Sequence, residues 1–267
     1  MKIALIYFSA TGNTKKIAEK IKQTFQDLGA KISEYDITNH QDREISINFS
    51  NFDASVFGFP VYGWRVPRIL RKWYQRLQGG GIKCSAFLTY GGVNPGVAHY
   101  DIQQILRAQE FKLLSTAEFL AEHTYNMAGW EAAINRPNEL DFFVAEQFAK
   151  LTYNKFKDNG TLLPSFKKPK ISQEKLEKIE NTPRRVVPIP QIRPNLCTNC
   201  GICQKKCSTG AIDGDSLLIN SIKCIRCYRC VKLCPENAII TSDLSRFFQE
   251  VKKIETISDA AKSKYFI

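Results

Sequence analysis

Eight of the nine cysteines fall between Cys197 and Cys234, in two runs that share one spacing. The first run is Cys197, Cys200, Cys203 and Cys207; the second is Cys224, Cys227, Cys230 and Cys234, with Pro235 directly after it. Both read Cys-x2-Cys-x2-Cys-x3-Cys. This spacing wraps three thiolates around one iron–sulfur cube and sends the fourth to a neighbouring cube. The expected ligand sets are therefore crossed. Cys197, Cys200, Cys203 and Cys234 would hold one [4Fe–4S] cluster, and Cys224, Cys227, Cys230 and Cys207 the other. Zinc is one alternative, but its structural sites take four ligands, usually as two separated pairs. A disulfide framework is another, and it belongs to small secreted chains.

The stretch resembles bacterial two-cluster ferredoxins. Ser208 stands where that pattern has proline after the first run, a change that leaves the thiol ligands intact. The region 191–242 is an internal repeat: Cys197 recurs as Cys224 and Ala211-Ile212 as Ala238-Ile239, each 27 residues on. So small a module buries too little to be stable alone, and bound clusters would supply part of its folding energy.

The chain has 267 residues, room for one medium and one small domain. At 43% hydrophobic and 24% charged it has an ordinary globular composition. No apolar run reaches membrane-spanning length. The start, Met1 to Phe8, reads as a first strand rather than a secretory leader. The cytoplasm is the expected location, where thiols stay reduced.

A net charge of +12 raises the question of nucleic acid. Each oxidised cube with its four thiolates carries about −2, and a flavin phosphate about −2 more, so bound cofactors would remove much of the surplus. The excess is also local. Between Lys150 and Lys206 there are thirteen Lys and Arg against four Asp and Glu. That bias suits an acidic redox protein partner better than a nucleic acid, although a solvated linker has the same composition.

Residues 2–8 form a nearly continuous apolar strand, as expected of a parallel strand buried on both faces. A hydroxyl-rich turn follows, then Ile17, Ile21, Phe25 and Leu28 at helical spacing, with Gly29 as the stop. A strand leading through such a turn into a helix N-terminus makes an anion site. It lacks the Gly-x-Gly-x-x-Gly and Gly-Lys-Ser/Thr patterns of other phosphate loops. The turn, Ser9, Ala10, Thr11, Gly12, Asn13 and Thr14, resembles the FMN phosphate loop of flavodoxins.

Two further loops extend that resemblance. Strand 53–59 runs into Pro60, Val61, Tyr62, Gly63 and Trp64, a Pro/Gly turn with aromatics at the carboxyl end of a strand, where open α/β sheets bind ligands. Tyr62 and Trp64 are the candidates for stacking on the isoalloxazine ring, Trp64 being as readily a packing residue, and Arg65 is placed at the ring's N1/C2 edge. Strand 82–90 delivers Tyr90, Gly91, Gly92 and Gly96, whose glycines let backbone approach a ring closely. Cys84 reads as a core residue. His40, His99 and His123 have no partnered arrangement, so no catalytic residue is expected. The loop 121–138 is long enough to imply a role, either over the flavin edge or against the second domain.

The resemblance implies a flavodoxin-like doubly wound α/β fold: a five-stranded parallel sheet ordered 2-1-3-4-5, plus a small α+β bacterial ferredoxin-like domain. The expected divisions are 1–158 for the FMN-binding domain, 159–190 for a Pro/Lys-rich linker, 191–242 for the cluster domain and 243–267 for a C-terminal helix and tail. Six of eleven prolines lie in 159–194, which predicts a semi-stiff tether with one helical patch near 172–181. As a whole the chain resembles the flavodoxin–ferredoxin fusions of anaerobic bacteria and archaea. That implies an electron-transfer iron–sulfur flavoprotein passing electrons between two [4Fe–4S] clusters and FMN. An FMN-dependent reductase of a small-molecule acceptor, and a binding module that has lost its flavin, are the other readings. Neither direction of flow nor oligomeric state is legible.

Overall fold

The computed structural model describes residues 1–158, 160–254 and 261–267, with the side chain of Ile254 left aside. The N-terminal part alternates strands and helices: β1 (Lys2–Tyr7), α1 (Asn13–Asp27), β2 (Lys31–Asp36), β3 (Ala54–Pro60), α2 (Arg68–Tyr74), β4 (Lys83–Tyr90), α3 (Ala98–Ala108), β5 (Lys112–Leu120) and α4 (Glu139–Lys157). The sheet order 2-1-3-4-5 is as expected, with every one of these pairings parallel. Strand β1 shows why the sheet needs two covering layers. Its Ile3, Leu5 and Tyr7 pack with Ile17, Ile21 and Phe148 on the α1/α4 side, while Ala4 and Ile6 join Phe57, Leu70 and Ile102 on the α2/α3 side. Side chains alternate across a strand, so a strand buried on both faces must be apolar throughout.

The polar stretch 38–52 forms two short 3-10 turns, Gln41–Glu44 and Phe49–Asn51, in place of a helix. The tail then adds a sixth strand to the expected five. Lys264–Phe266 pairs antiparallel with β5, Lys264 opposite Glu118 and Phe266 opposite Thr116. Without it β5 would present an open edge of unpaired backbone groups.

The Pro-rich region is not a free spacer. Leu163 N–H donates to the Leu113 carbonyl (2.8 Å), the Gln103 amide bonds both Pro164 and Phe166, and His99 stacks on Phe166 at 5.2 Å. Helix α5 (Gln173–Val186) follows. Ser172 caps it through Lys175 N–H, and it runs through Pro183 in its last turn, further than the expected patch. The chain thus doubles back over the sheet's carboxyl end.

The cluster-binding module contains β6 (Gln191–Ile192), α6 (Ile202–Lys205), β7 (Ile212–Asp213), β8 (Leu218–Ile219), α7 (Arg229–Leu233) and β9 (Ile239–Ile240). The 27-residue repeat is expressed as exchanged pairing. Strand β6 pairs with β9 and β7 with β8, while Arg193 N–H bonds the Ala238 carbonyl as Asn220 N–H bonds that of Ala211, both at 2.8 Å. The left-handed backbone positions repeat too: Asn199 with Arg226, Gly201 with Tyr228, and Gly210 with Asn237. Such residues curl the chain so that successive N–H groups face inward, the concavity that suits an anionic centre. Helix α8 (Ser245–Ile254) covers the junction. There Tyr125, Trp130, Val187, Tyr228, Leu244 and Phe248 make a third core, drawn from both modules and the linker. Of the expected C-terminal segment 243–267, residues 255–260 lie outside the described residues. No described helix is long and apolar enough to cross a membrane.

Candidate functional site

The loop expected to meet a phosphate runs from Ser9 to Thr14. Gly12 takes φ 95°, which turns the chain into α1. The Ser9 hydroxyl accepts Lys15 N–H (2.9 Å), and Ser9 N–H is itself held by the Thr38 hydroxyl (2.8 Å). Thr14 and Thr89 share a hydroxyl–hydroxyl bond of 2.8 Å, and the Asn13 amide reaches the Glu122 carbonyl at 3.0 Å. Among the described residues, the backbone N–H groups of Ala10 to Thr14 make no hydrogen bond. Unpaired amides at a helix N-terminus are what a phosphate group satisfies.

One cleft gathers most of the predicted loops. Ser9, Ala10, Thr11, Asn13 and Thr14 line it, with Pro60, Val61, Tyr62 and Gly63 from the second loop and Tyr90 and Gly91 from the third. Gly12, Trp64, Gly92 and Gly96 stand behind these linings. Tyr62 to Arg65 close a tight turn through reciprocal backbone bonds of 3.1 and 3.2 Å, with Gly63 and Trp64 both at positive φ. Trp64 leans on Gly96, where a Cβ would lie 2.2 Å from the Trp64 Cβ. Its carbonyl accepts Val97 N–H at 2.8 Å, so it serves the loop rather than the cleft. Arg65 is not among the residues lining the cleft: Asp101 on α3 holds its guanidinium at 2.7 and 3.0 Å, both side chains being nearly buried.

Two walls of the cleft were not foreseen. The first is α5, which contributes Glu180, Asn181, Pro183 and Arg184. Glu180 binds Arg71 at 2.9 Å and Arg68 at 3.3 Å, and its own carboxylate is nearly buried. The second is the cluster loop itself, through Ile225, Arg226 and Cys227. Thr124 ties the two ends together, its hydroxyl 3.3 Å from that of Thr11 and 3.5 Å from the Cys227 carbonyl. Loop 121–138 reaches both the cleft and the second module. Residues 121–125 face the cleft, and Tyr125 and Trp130 pack on Tyr228 and Phe248 at 5.1 and 4.8 Å.

The thiols fall into two neighbourhoods. Cys203 feels the charges of Cys197 and Cys200, whereas Cys224, Cys227 and Cys230 each feel that of Cys207. The first set is the more open, with Cys200 exposed. The second lies against the α/β domain, where His40 N–H bonds the Cys207 carbonyl (3.3 Å) and Arg43 bonds that of Ser208. Burial pushes the Cys227 thiol up to about 11, with smaller opposing help from the Arg229 backbone N–H and the Ser208 side chain. It likewise raises Cys224 and Cys230, and a bound cation offsets such a cost. Backbone donors already point at sulfur: Ala211 N–H to Cys207 (3.2 Å), Ala238 N–H to Cys234 (3.3 Å) and Arg226 N–H to Cys224 (3.4 Å). Among the described residues no three His, Cys, Asp or Glu converge on a single-ion position.

The cluster module also grips the phosphate loop. Arg229 on α7 donates to the carbonyls of Ser9 (3.1 Å) and Ala10 (3.2 Å) and to the Asn39 side chain, and Lys232 to the carbonyl of Thr11 (2.6 Å). The two cations lie about 220 positions from their partners, so no local pattern could have announced them. Tyr62 sits between the halves: burial raises its hydroxyl well above the usual value, and the Cys227 charge adds to this.

A family model described as a flavodoxin domain matches residues 4–112, and one described as a 4Fe-4S dicluster domain matches residues 189–235. Among solved structures, a flavodoxin from the domain Archaea aligns at 17% identity over 59% of this chain and 99% of its own, with a TM-score of 0.44. Oxidised flavodoxin 1 from Bacillus cereus aligns at 19% over 58% and 98%, also with a TM-score of 0.44. Rubredoxin oxygen:oxidoreductase from Desulfovibrio gigas aligns at 19% over 58% and 36%, with a TM-score of 0.43. No curated protein matches the chain. With a flavodoxin domain followed in the same polypeptide by a 4Fe-4S dicluster domain, the chain is a flavodoxin–ferredoxin fusion.

Proposed function

We propose that the protein is an electron carrier holding FMN in the cleft and two [4Fe–4S] clusters on the crossed cysteine sets, and that it exchanges electrons between them. A flavin handles one or two electrons and a [4Fe–4S] cluster one, so together they connect two-electron and one-electron carriers. The observation that carries this reading is that Ile225, Arg226 and Cys227 line the same cleft as the phosphate loop, Tyr62 and Gly91. The set Cys207, Cys224, Cys227 and Cys230 is thus the inner one, and Cys197, Cys200, Cys203 and Cys234 the outer. The domains divide at about 158, 190 and 242.

The outer set is where an external partner would dock. Leu196, Ile202 and Leu233 are exposed in that part of the module at 44%, 37% and 37%, with exposed Arg193, Lys205 and Lys206. An apolar centre with a cationic rim favours an acidic redox protein. The reductase reading gains no support from loop 121–138, whose residues supply the cleft wall and the interdomain core.

Oxygen-free purification followed by flavin, iron and sulfide assay tests the inventory. One flavin with about eight irons and eight sulfides per chain is expected. Stopped-flow reduction then tests the wiring: flavin and cluster absorbance should bleach in linked phases. Zinc in place of iron, a colourless apoprotein, or flavin and clusters that fail to equilibrate would refute the proposal.

A further inference from the structure

His123 is set in the cleft in a way the sequence did not suggest. It lines the wall beside Gly91. Its Nδ1 accepts the Tyr125 N–H at 3.1 Å, so Nδ1 carries no proton and the neutral ring carries its proton on Nε2. The ring cannot turn freely. It stacks on Trp130 at 4.9 Å with 21° between planes and leans on Tyr125 at 5.1 Å. Gly91 presses on its edge, where a Cβ would lie 2.4 Å from the His123 Cδ2. Nε2 makes no hydrogen bond among the described residues. Burial opposes protonation and lowers the ring to about 4, so the side chain is a neutral donor at ordinary pH.

A plain packing role explains the stacking on Trp130. It leaves unexplained why a donor with a fixed tautomer faces a cleft whose other polar groups serve a ligand. We propose that His123 is a flavin-contacting residue, donating its Nε2–H to an acceptor atom of the bound isoalloxazine ring. This rests on the reading of the cleft as the FMN site. The ring rather than the phosphate is assigned because His123 packs on Gly91 of the third loop, whereas the phosphate loop's ties to this segment go to the flanking Glu122 and Thr124. Gly91 is then required twice, once for close approach to the ligand and once to leave room for the imidazole.

The test compares FMN and riboflavin binding to the full, cluster-loaded protein by fluorescence titration, in wild type, His123→Phe and His123→Gln. Iron content and circular dichroism check folding. Loss of a single donor to an uncharged acceptor should weaken both ligands about tenfold in His123→Phe, with a shift of the bound flavin's absorption maximum, while His123→Gln, which keeps a donor, stays within a few-fold. If His123→Phe does not fold, His123→Leu against His123→Gln makes the same comparison at smaller volume. Wild-type affinity and spectrum in the variants lacking the donor would overturn the inference. So would weakening of FMN alone, which would move the contact to the phosphate. A wild-type protein that binds neither ligand would instead remove the FMN reading itself.

Discussion

Arg229 Nη1 lies 3.1 Å from the carbonyl oxygen of Ser9, so a side chain two positions after Cys227, a proposed cluster ligand, holds the loop proposed to meet the flavin phosphate. The two proposed cofactor sites are therefore tied together. A ligand that orders α7 also orders the phosphate loop, and by linkage the reverse holds. Cluster-free protein should bind FMN more weakly than loaded protein. Arg229→Ala should weaken FMN about tenfold, or about 1.4 kcal/mol, since hydrogen bonds from charged donors are the stronger kind. Titration of released flavin fluorescence measures both, and equal affinities would show that the sites are independent.

Helix α5 closes the cleft through Glu180. Its pairing with Arg71 is mostly shielded from water, whereas Arg68 is about half exposed. Glu180→Ala should cost about 1–3 kcal/mol, below the range for a fully buried pair because of that exposure. The bound flavin should then become more accessible to iodide quenching. Gly63→Ala reaches the same contact from the other side. It combines φ +55° with a Cβ that would lie 2.6 Å from the Glu180 backbone. Unchanged quenching in both variants would mean that α5 does not screen the ligand.

Crossed ligation makes a pattern that adjacency in sequence would not. Cys207→Ser should damage the same cluster as Cys224→Ser, and Cys234→Ser the same one as Cys197→Ser. Iron counts and electron paramagnetic resonance of the reduced variants should sort into those pairs. Sorting by run, Cys207 with Cys197, would reject the crossed sets. Serine at Cys207 should also disturb the flavin spectrum more than serine at Cys234, because Cys207 and Cys227 of the inner set bond the α/β domain through His40 and Thr124.

Stability should fall on mild acidification through His123. Its folded value of about 4 lies below the ordinary 6.5, so the unfolded chain binds the proton first. The stabilisation is complete above about pH 6.5 and is lost as pH falls towards 4, about 1–3 kcal/mol in all after allowance for the ring's accessible edge. Thermal melts of wild type and His123→Gln across pH 4–8 give the difference curve. Parallel curves would assign the acid lability elsewhere.

What could be read from the chain alone was what short-range chemistry dictates. The spacing of Cys197 to Cys207 and its recurrence 27 residues on reflect the reach of a few residues around one cube. The apolar run from Ile3 to Phe8, and the helical period from Ile17 to Leu28, are equally local. Glycines were legible as places of close approach, but not what approaches. The partner is His123 at Gly91, Trp64 at Gly96 and Glu180 at Gly63. The partner of Arg65 was not legible because its carboxylate sits 36 positions on, one helix away. The polar stretch 38–52 revealed nothing of its part in holding Cys207.

Tertiary structure alone decided which cysteine, Cys227, lines the cleft beside the flavodoxin-like loops. It also folded the Pro-rich stretch back as a wall and brought α7 onto the phosphate loop. These contacts join residues tens to hundreds of positions apart, between surfaces that are each only partly apolar. Periodicity and motif spacing report which faces a segment hides and which ligands it can reach by itself. They hold no information on which two hidden faces meet, because that choice is made by the summed packing of the whole chain.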